Sequence, residues 1–330
     1  MDASGKPHIV VTYAVKDARR AQIRGFFGDG VKLSFLADQP TGLREQTLMD
    51  ADVFLTWNLP KELAFGGLGL LKNLRMIQLL SAGADHLPFR EIPRDVVIAS
   101  NVGAYAEPMA EHVLAMALAL TKHLHREHAN LAHGEFNQSR MNDLLQGSVC
   151  GILGFGGIGK AVARLMSGLG VRVRAVNTSG RTEEPVDFIG TLKNLDAVLT
   201  ASDIVVVSLP LNKTTRGLIG KQELEAMKPD AILINVARGQ IIDEKALYDH
   251  LVGHPEFKAG IDAWWFEPFG HGSFKTSYPF FTLPNVLGSP HNSAIVSGIN
   301  EKATRLAIEN VKRFLAREPI RGEVRREDYI

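Results

Sequence analysis

The sequence is poor in cysteine, in net charge and in long apolar runs, and each shortage excludes a class of protein. Its single cysteine, Cys150, rules out an intrachain disulfide. Its 37 basic and 36 acidic residues nearly cancel, so no strong field draws it to nucleic acid or an anionic membrane. The longest apolar stretch, 113–120, is far shorter than the roughly 20 residues that span a bilayer. Residues 1–7 are polar and lack a signal-type apolar core. We therefore expect a cytoplasmic protein without nucleic-acid or membrane partners.

Short β-branched runs alternate with helical patterns along the whole chain. The 330 residues, 45% of them hydrophobic, are too many for one core and indicate two domains. One set of predicted strands lies at 8–13, 31–36, 52–56, 75–80 and 96–99, with helices at 18–27 and 61–71. A second set of six lies at 149–153, 171–176, 204–209, 232–236, 259–263 and 286–288. This alternation predicts βαβ units and an α/β fold with doubly wound parallel sheets.

Two further segments have helical patterns of special interest, and a charged segment follows them. Residues 107–133 contain no glycine, and their only proline stands near the start, so we predict one long helix that bridges domains or packs against a second subunit. Residues 297–317 form a final helix without a strand of its own, which could return to the first domain. The mixed charges of 321–328 are interpreted as a solvated tail. The histidines of the long helix lack convergent spacing, so no metal site is expected.

A glycine-rich turn follows the first strand of the second set. Gly154 permits a tight turn, Gly156 lets backbone amides approach a ligand, and Gly159 lets the next helix pack closely on the sheet. The helix that follows offers free amides and a positive dipole end to phosphates. Strand, turn and amphipathic helix together predict a dinucleotide pyrophosphate site at Gly154, Gly156, Gly157, Ile158 and Gly159.

The end of the next strand bears on the choice of cofactor. A carboxylate there binds the adenosine ribose and repels a 2′-phosphate, but no acid follows Val176. The polar side chains of Asn177, Thr178 and Ser179 can donate hydrogen bonds to a phosphate, and Arg181 can add charge. The polar residues at the end of this strand favour NADP(H) slightly over NAD(H) as the cofactor, and NAD(H) stays an alternative.

Chemically active side chains follow three strands of the second set. Because ligands of open α/β sheets bind at the carboxyl ends of the strands, we expect Arg238, Glu267 and His291 on one rim with the glycine turn. Arg238 can hold a carboxylate and polarise a carbonyl, and His291 can act as general acid and base. Glu267 beside His291 would favour the protonated imidazolium and orient its ring. These residue types suit hydride transfer to a small 2-oxo acid.

The chain resembles the D-isomer-specific 2-hydroxyacid dehydrogenase family over roughly residues 50–320. The motifs that carry the resemblance are Ser81-Ala82-Gly83-Ala84-Asp85, Ala110-Glu111-His112, Gly154-Phe155-Gly156-Gly157-Ile158-Gly159, Asn235-Val236-Ala237-Arg238-Gly239, Asp262-Ala263-Trp264-Trp265-Phe266-Glu267-Pro268 and Ser289-Pro290-His291. The resemblance implies a Rossmann NAD(P)-binding domain, 107–292, inserted in a discontinuous substrate-binding domain, 1–106 with 293–330. It also implies a homodimer formed through the long helix.

The resemblance further implies roles for single residues. Arg238, Glu267 and His291 would be the catalytic set, and backbone amides near Ala82 and Gly83 would hold the substrate carboxylate together with Arg238 and His291. Beside the glycine turn and the 177–181 loop, the expected cofactor contacts are Leu209, Pro210, Thr215, Val236, Ala237, Arg238, Asp262 and His291. An alternative function is a regulatory protein that keeps this fold and senses nicotinamide cofactors, as similar corepressors do.

Overall fold

The computed structural model describes residues 5–63, 68 and 71–330. The chain divides into two compact units. Unit 1 comprises Met1–Tyr105 with Val296–Ile330, and unit 2 comprises Ala106–Ile295. Each unit has a parallel sheet of its own, which confirms the predicted α/β class.

The described residues of unit 1 form a five-stranded parallel sheet in the order β2-β1-β3-β4-β5. Its strands are β1 (His8–Val11), β2 (Lys32–Phe35), β3 (Val53–Thr56), β4 (Met76–Leu79) and β5 (Val97–Ala99), as predicted to within two residues at each end. Its helices are α1 (Asp17–Phe27), α2 (Thr41–Met49), α3 (Leu59–Glu62) and, at the far end of the chain, α11 (Ile299–Leu315). The predicted helix at 61–71 falls largely on residues 64–67 and 69–70, which lie outside the described residues.

Helix α11 packs on the sheet of unit 1. Its Ala307, Ile308 and Val311 share one apolar cluster with alternate residues of the strands, because successive side chains of a strand point to opposite faces. A buried amide pair adds specificity, since Asn310 Nδ2 donates to Gln78 Oε1 at 2.7 Å. The final helix therefore belongs to the first sheet, although some 190 residues of unit 2 separate it from that sheet in the sequence.

The charged end of the chain is not a solvated tail, so that interpretation was wrong. Val324 N donates to Ile98 O at 2.8 Å, next to an antiparallel bridge between Ala99 and Glu323. The guanidinium of Arg326 donates to three backbone carbonyls at 2.6–2.9 Å, and the ring of Tyr329 stacks on that of Phe89. These partners lie far away in sequence, so the local charge pattern could not reveal them.

Unit 2 is built on a seven-stranded parallel sheet in the order β12-β11-β10-β9-β6-β7-β8. Its strands are β6 (Val149–Leu153), β7 (Arg172–Val176), β8 (Phe188–Gly190), β9 (Ile204–Val207), β10 (Ile232–Asn235), β11 (Lys258–Ile261) and β12 (Val286–Gly288). The six predicted strands are present, and β8 is an addition to them. It is a three-residue edge strand that ends in glycine, so it carries almost no periodic signal.

The helices of unit 2 are α4 (Ala106–Thr121), α5 (Leu124–Ala132), α6 (Gly157–Gly168), α7 (Leu195–Leu199), α8 (Lys221–Ala226), α9 (Glu244–Gly253) and α10 (Pro268–His271). The single helix predicted for 107–133 is wrong, because His123 adopts a left-handed conformation with φ 53° and divides it. A returning segment ends α4: Asp143 N donates to Thr121 O at 3.2 Å, and Lys122 Nζ donates to Asp143 O. Within the described ranges, no helix combines the length and apolar character needed to cross a membrane.

His250, on α9, gives the stability of unit 2 a dependence on pH. Its ring stacks on that of His254 at 4.1 Å and meets Phe257 edge-on at 4.5 Å. Burial, followed by the charge of His254, lowers the pKa of His250 from 6.5 to about 4. Because the unfolded chain then binds the proton more readily, we expect stability to be complete above about pH 6.5 and to fall by about 1–3 kcal/mol as pH drops towards 4.

Denaturant titrations at pH 7, 5.5 and 4.5 measure this loss. His250→Phe is expected to flatten the slope over that window, whereas His133→Phe, at an exposed position, is the matched control and keeps it. An unchanged slope in the His250 variant would show that other groups cause the acid sensitivity.

Candidate active site

The glycine turn connects β6 to α6 with a backbone that side chains would obstruct. Gly154 has φ 102°, and a Cβ there would lie 2.7 Å from the backbone nitrogen of Leu209. A Cβ on Gly159 would lie 2.3 Å from the carbonyl oxygen of Gly154. A Cβ on Gly156 would meet no atom of the described chain within 4 Å. Open space therefore adjoins the first turn of α6, whose amides have no partner within the helix, and a pyrophosphate fits this cradle.

The loop after β7 is organised by Asn177. Its Oδ1 accepts hydrogen bonds from Ser179 N at 3.1 Å and Gly180 N at 2.7 Å. Its Nδ2 donates to Arg181 O at 2.9 Å. The amide therefore holds the loop closed, while the side chains of Thr178, Ser179 and Arg181 are exposed at its surface.

The loop after β9 is held in a comparable way. The hydroxyl of Thr215, whose residue is only 2% exposed, donates to Pro210 O at 2.6 Å. It also accepts from Asn212 N at 2.9 Å. Leu209 is half-buried, and Pro210 is exposed at the carboxyl end of the strand. Thr215 thus shapes this loop from within.

Glu267 and His291 form a direct pair at the carboxyl edge of the sheet. His291 Nδ1 lies 2.7 Å from Glu267 Oε2, and the other oxygen, Oε1, accepts from Trp264 N at 2.6 Å. An ionised carboxylate only accepts hydrogen bonds, so the Nδ1 proton points at Glu267 and Nε2 is left to exchange a proton. The pair has the form of a general acid and base with its orienting carboxylate.

The loop that carries His291 is fixed by a buried carboxylate. Asp262 is 0% exposed and accepts from Ser289 Oγ at 2.5 Å, Asn292 N at 3.1 Å and Ser293 N at 3.3 Å. The Ser289 hydroxyl donates its one proton to Asp262. His112 Nε2, 2.9 Å from Ser289 Oγ, is therefore the donor of the second bond, and Ser289 Oγ accepts it. The sequence did not indicate the contact between His112 and Ser289, because 177 residues separate the two. A cofactor contact by Asp262 stays a prediction.

Arg238 follows β10 at the same edge. Its Nη1 donates to Ala237 O at 2.7 Å, and its carbonyl accepts from Asn235 Nδ2 at 2.9 Å. The adjacent Gly239 lies so close to the next loop that a Cβ would be 2.4 Å from the carbonyl carbon of Trp264. Val236 and Ala237 are buried, and Arg238 is half-buried. The loops after β10 and β11 are therefore packed together.

The predicted substrate-binding amides belong to the other unit. Ala82 and Gly83 follow β4 in unit 1, are half-buried, and lie in a turn where Ser81 Oγ donates to Gly83 O at 2.8 Å. Their contact with substrate stays a prediction. In the part of the chain that the structure describes, no group of three or more His, Cys, Asp or Glu side chains could hold a metal ion.

Comparison with known proteins gives a consistent result. Residues 114–293, more than half of the chain, match the model of the D-isomer specific 2-hydroxyacid dehydrogenase NAD binding domain. The glyoxylate reductase of Thermococcus gammatolerans is 30% identical over 251 residues, 73% of each chain. The hydroxypyruvate reductase of Thermotoga maritima is 29% identical over 246 residues, 74% of this chain and 77% of that one.

A solved structure agrees with the sequence relatives. The D-isomer specific 2-hydroxyacid dehydrogenase of Xanthobacter autotrophicus Py2, in complex with NADPH and MES, has a TM-score of 0.80 and 25% identity, covering 98% of this chain and 99% of that one. The predicted resemblance is thus confirmed. This chain belongs to the D-isomer-specific 2-hydroxyacid dehydrogenase family and is an oxidoreductase that acts on CH–OH groups.

Proposed function

We propose that this protein reduces a small 2-oxo acid to the D-2-hydroxy acid with NAD(P)H, and that His291, Glu267 and Arg238 are its catalytic set. The 2.7 Å pair between His291 Nδ1 and Glu267 Oε2 is the observation that carries the proposal. The pair stands on the sheet edge that also bears the glycine turn and Arg238, so one edge provides phosphate-binding amides, a cation and a proton donor.

Each side chain of the set has a separate task. Arg238 holds the substrate carboxylate through its planar fork and polarises the reacting carbonyl. His291 delivers a proton from Nε2 to the developing alkoxide, and Glu267 stabilises the imidazolium and keeps the ring in place. The bound nicotinamide supplies the hydride. Backbone amides at Ala82 and Gly83 are the proposed further contacts of the substrate carboxylate.

The glycine turn and the strand-end loops would hold the dinucleotide. The amides from Gly157 to Gly159 belong to the first turn of α6, next to the open space beside Gly156, and suit the pyrophosphate of the dinucleotide. The 177–181 loop has no carboxylate and exposes Ser179 and Arg181, which suits a 2′-phosphate. The Xanthobacter neighbour was solved with NADPH, which supports the same choice. We therefore propose NADP(H) as the preferred cofactor.

An assay of glyoxylate, hydroxypyruvate, pyruvate and longer 2-oxo acids, each with NADPH and with NADH, tests both proposals. We expect turnover of at least one acid, with kcat/KM higher for NADPH. The names of the two sequence relatives make hydroxypyruvate and glyoxylate the first acids to test. If the protein binds NAD(P)H and oxidises it with none of the acids, a protein that senses nicotinamide cofactors becomes the better interpretation.

In the same assay, Asn177→Asp is expected to reverse the cofactor preference. The carboxylate loses the donation to Arg181 O but keeps the acceptor role toward Ser179 N and Gly180 N, so the loop keeps most of its shape. It repels a 2′-phosphate, so KM for NADPH should rise roughly tenfold or more while KM for NADH falls or stays level. Asn212→Asp, a matched change at an Asn whose Oδ1 also accepts from loop amides, should leave the ratio unchanged.

Assembly and location complete the proposed function. Large apolar side chains are exposed on α5 and the segment after it, namely Leu124, Leu131, Phe136, Met141 and Leu144. Exposed apolar side chains of this size and number are typical of a protein interface and support the predicted homodimer through this part of unit 2. The cytoplasmic location stays a prediction.

A further inference from the structure

We propose that Trp264 is a positioning residue that joins Glu267 and the His291 loop into one rigid unit. The proposal rests on the catalytic roles proposed above for Glu267 and His291. It assigns the indole N–H a task in turnover, since Trp264 would act through its neighbours and not on the substrate itself.

Trp264 makes one hydrogen bond to Glu267 and one to the loop that carries His291. Its backbone N donates to Glu267 Oε1 at 2.6 Å. Its Nε1 donates to Ser289 O at 2.8 Å, two residues before His291. His291 Nδ1 and Glu267 Oε2, 2.7 Å apart, close the ring of contacts. Any shift of the loop relative to Glu267 therefore has to break the indole bond or the carboxylate–imidazole bond.

The indole cannot rotate out of this position. Trp264 is only 3% exposed, and its ring packs against those of Phe274 at 5.5 Å and Phe281 at 5.1 Å. Gly288, at the end of β12, lies directly beneath it, since a Cβ there would be 2.8 Å from Trp264 Cζ2. The side chain is thus enclosed between Phe274, Phe281 and the last strand, β12.

The backbone of His291 explains why such an anchor is needed. His291 has φ 50°, a left-handed conformation that is unfavourable for a residue with a side chain. A strained residue persists only where its surroundings over-determine it. Asp262 holds the loop on both sides of His291, through the Ser289 hydroxyl and through the amides of Asn292 and Ser293. The indole adds a second bond before His291, through Ser289 O.

Trp264→Phe tests the proposal, because it keeps an aromatic ring between Phe274, Phe281 and β12 and removes the N–H donor together with part of the indole. We expect kcat to fall by about 10- to 100-fold, since a displacement of the order of 1 Å at a catalytic group has that effect. The KM for cofactor should stay level, and the alkaline limb of the pH profile for reduction should move to lower pH as Glu267 and His291 separate.

Trp265→Phe is a matched control. Trp265 is 8% exposed, and its Nε1 also donates to a backbone carbonyl, that of Ile242, at 2.7 Å. Its ring stacks on Phe280 at 5.5 Å. The control therefore loses the same kind of bond, and we expect a similar decrease in Tm with kcat and pH profile unchanged.

A second variant keeps the N–H and displaces the ring. Gly288→Ala places a methyl group against the indole and is expected to lower kcat in the same way as Trp264→Phe. Equal kcat values and pH profiles for the Trp264, Trp265 and Gly288 variants would overturn the proposal. If His291→Asn also retains full turnover, the proposed function fails instead, so the two failures are distinguishable.

Discussion

Replacement of His291 by Asn is expected to lower kcat by about 10²–10⁴-fold, the usual contribution of a general acid and base. Asn fits the space and tolerates the left-handed φ of 50°, so the loop should keep its course. The amide cannot deliver a proton to an alkoxide. Steady-state turnover with the best acid of the panel measures the loss.

Cofactor binding provides the control for this variant. The glycine turn and the 177–181 loop are untouched, so Kd for NAD(P)H, measured by fluorescence, should change by less than about threefold. His133→Asn, which alters an exposed histidine, should leave kcat unchanged. Full turnover by the His291 variant would remove His291 from the mechanism.

Replacement of Arg238 by Gln is expected to reduce kcat/KM by about 10²–10⁴-fold. A bidentate contact with a carboxylate contains two charge-assisted hydrogen bonds, each worth about 1.5–3 kcal/mol. Their loss weakens substrate binding and removes the cation that polarises the carbonyl. The effect should therefore appear in both KM and kcat.

Arg238→Lys separates charge from shape. Lys keeps the positive charge and lacks the planar fork, so we expect an intermediate kcat/KM. Arg172→Gln is the matched control, because Arg172 is exposed at the amino end of β7, on the opposite edge of the sheet. A Gln variant that keeps its KM for every acid would contradict the assigned role.

Much of the fold could be predicted from local patterns. The inner strands β3, β6, β9 and β10 are runs of mostly apolar residues that are buried on both faces, a pattern that needs no knowledge of their partners. The glycine turn could be predicted because close backbone contacts require glycine there. A Cβ on Gly154 would clash with the backbone of Leu209, and a Cβ on Gly159 would clash with the carbonyl of Gly154. Sequence order also indicated that Arg238, Glu267 and His291 share an edge, since parallel strands end on the same side.

The features that were missed depend on partners far away in sequence. The break at His123 follows from the capture of Thr121 O by Asp143 N, 22 residues later, and no glycine or proline announces it. The terminal segment is ordered by carbonyls near Ile92 and Ile98, more than 220 residues earlier. Both reverse what helix propensity and charge pattern suggest, because long-range hydrogen bonds outweigh such small local preferences.

The candidate site shows the same contrast between local sequence patterns and long-range contacts. By itself the sequence determined which side chains stand at the strand ends, and hence the chemistry available there. Only the tertiary structure decided how they are held: the 2.7 Å bond of Glu267 to His291, the buried carboxylate of Asp262 and the indole of Trp264. The positions of most strands follow from local apolar patterns, whereas the geometry of a catalytic pair depends on directional bonds between residues that only folding brings together.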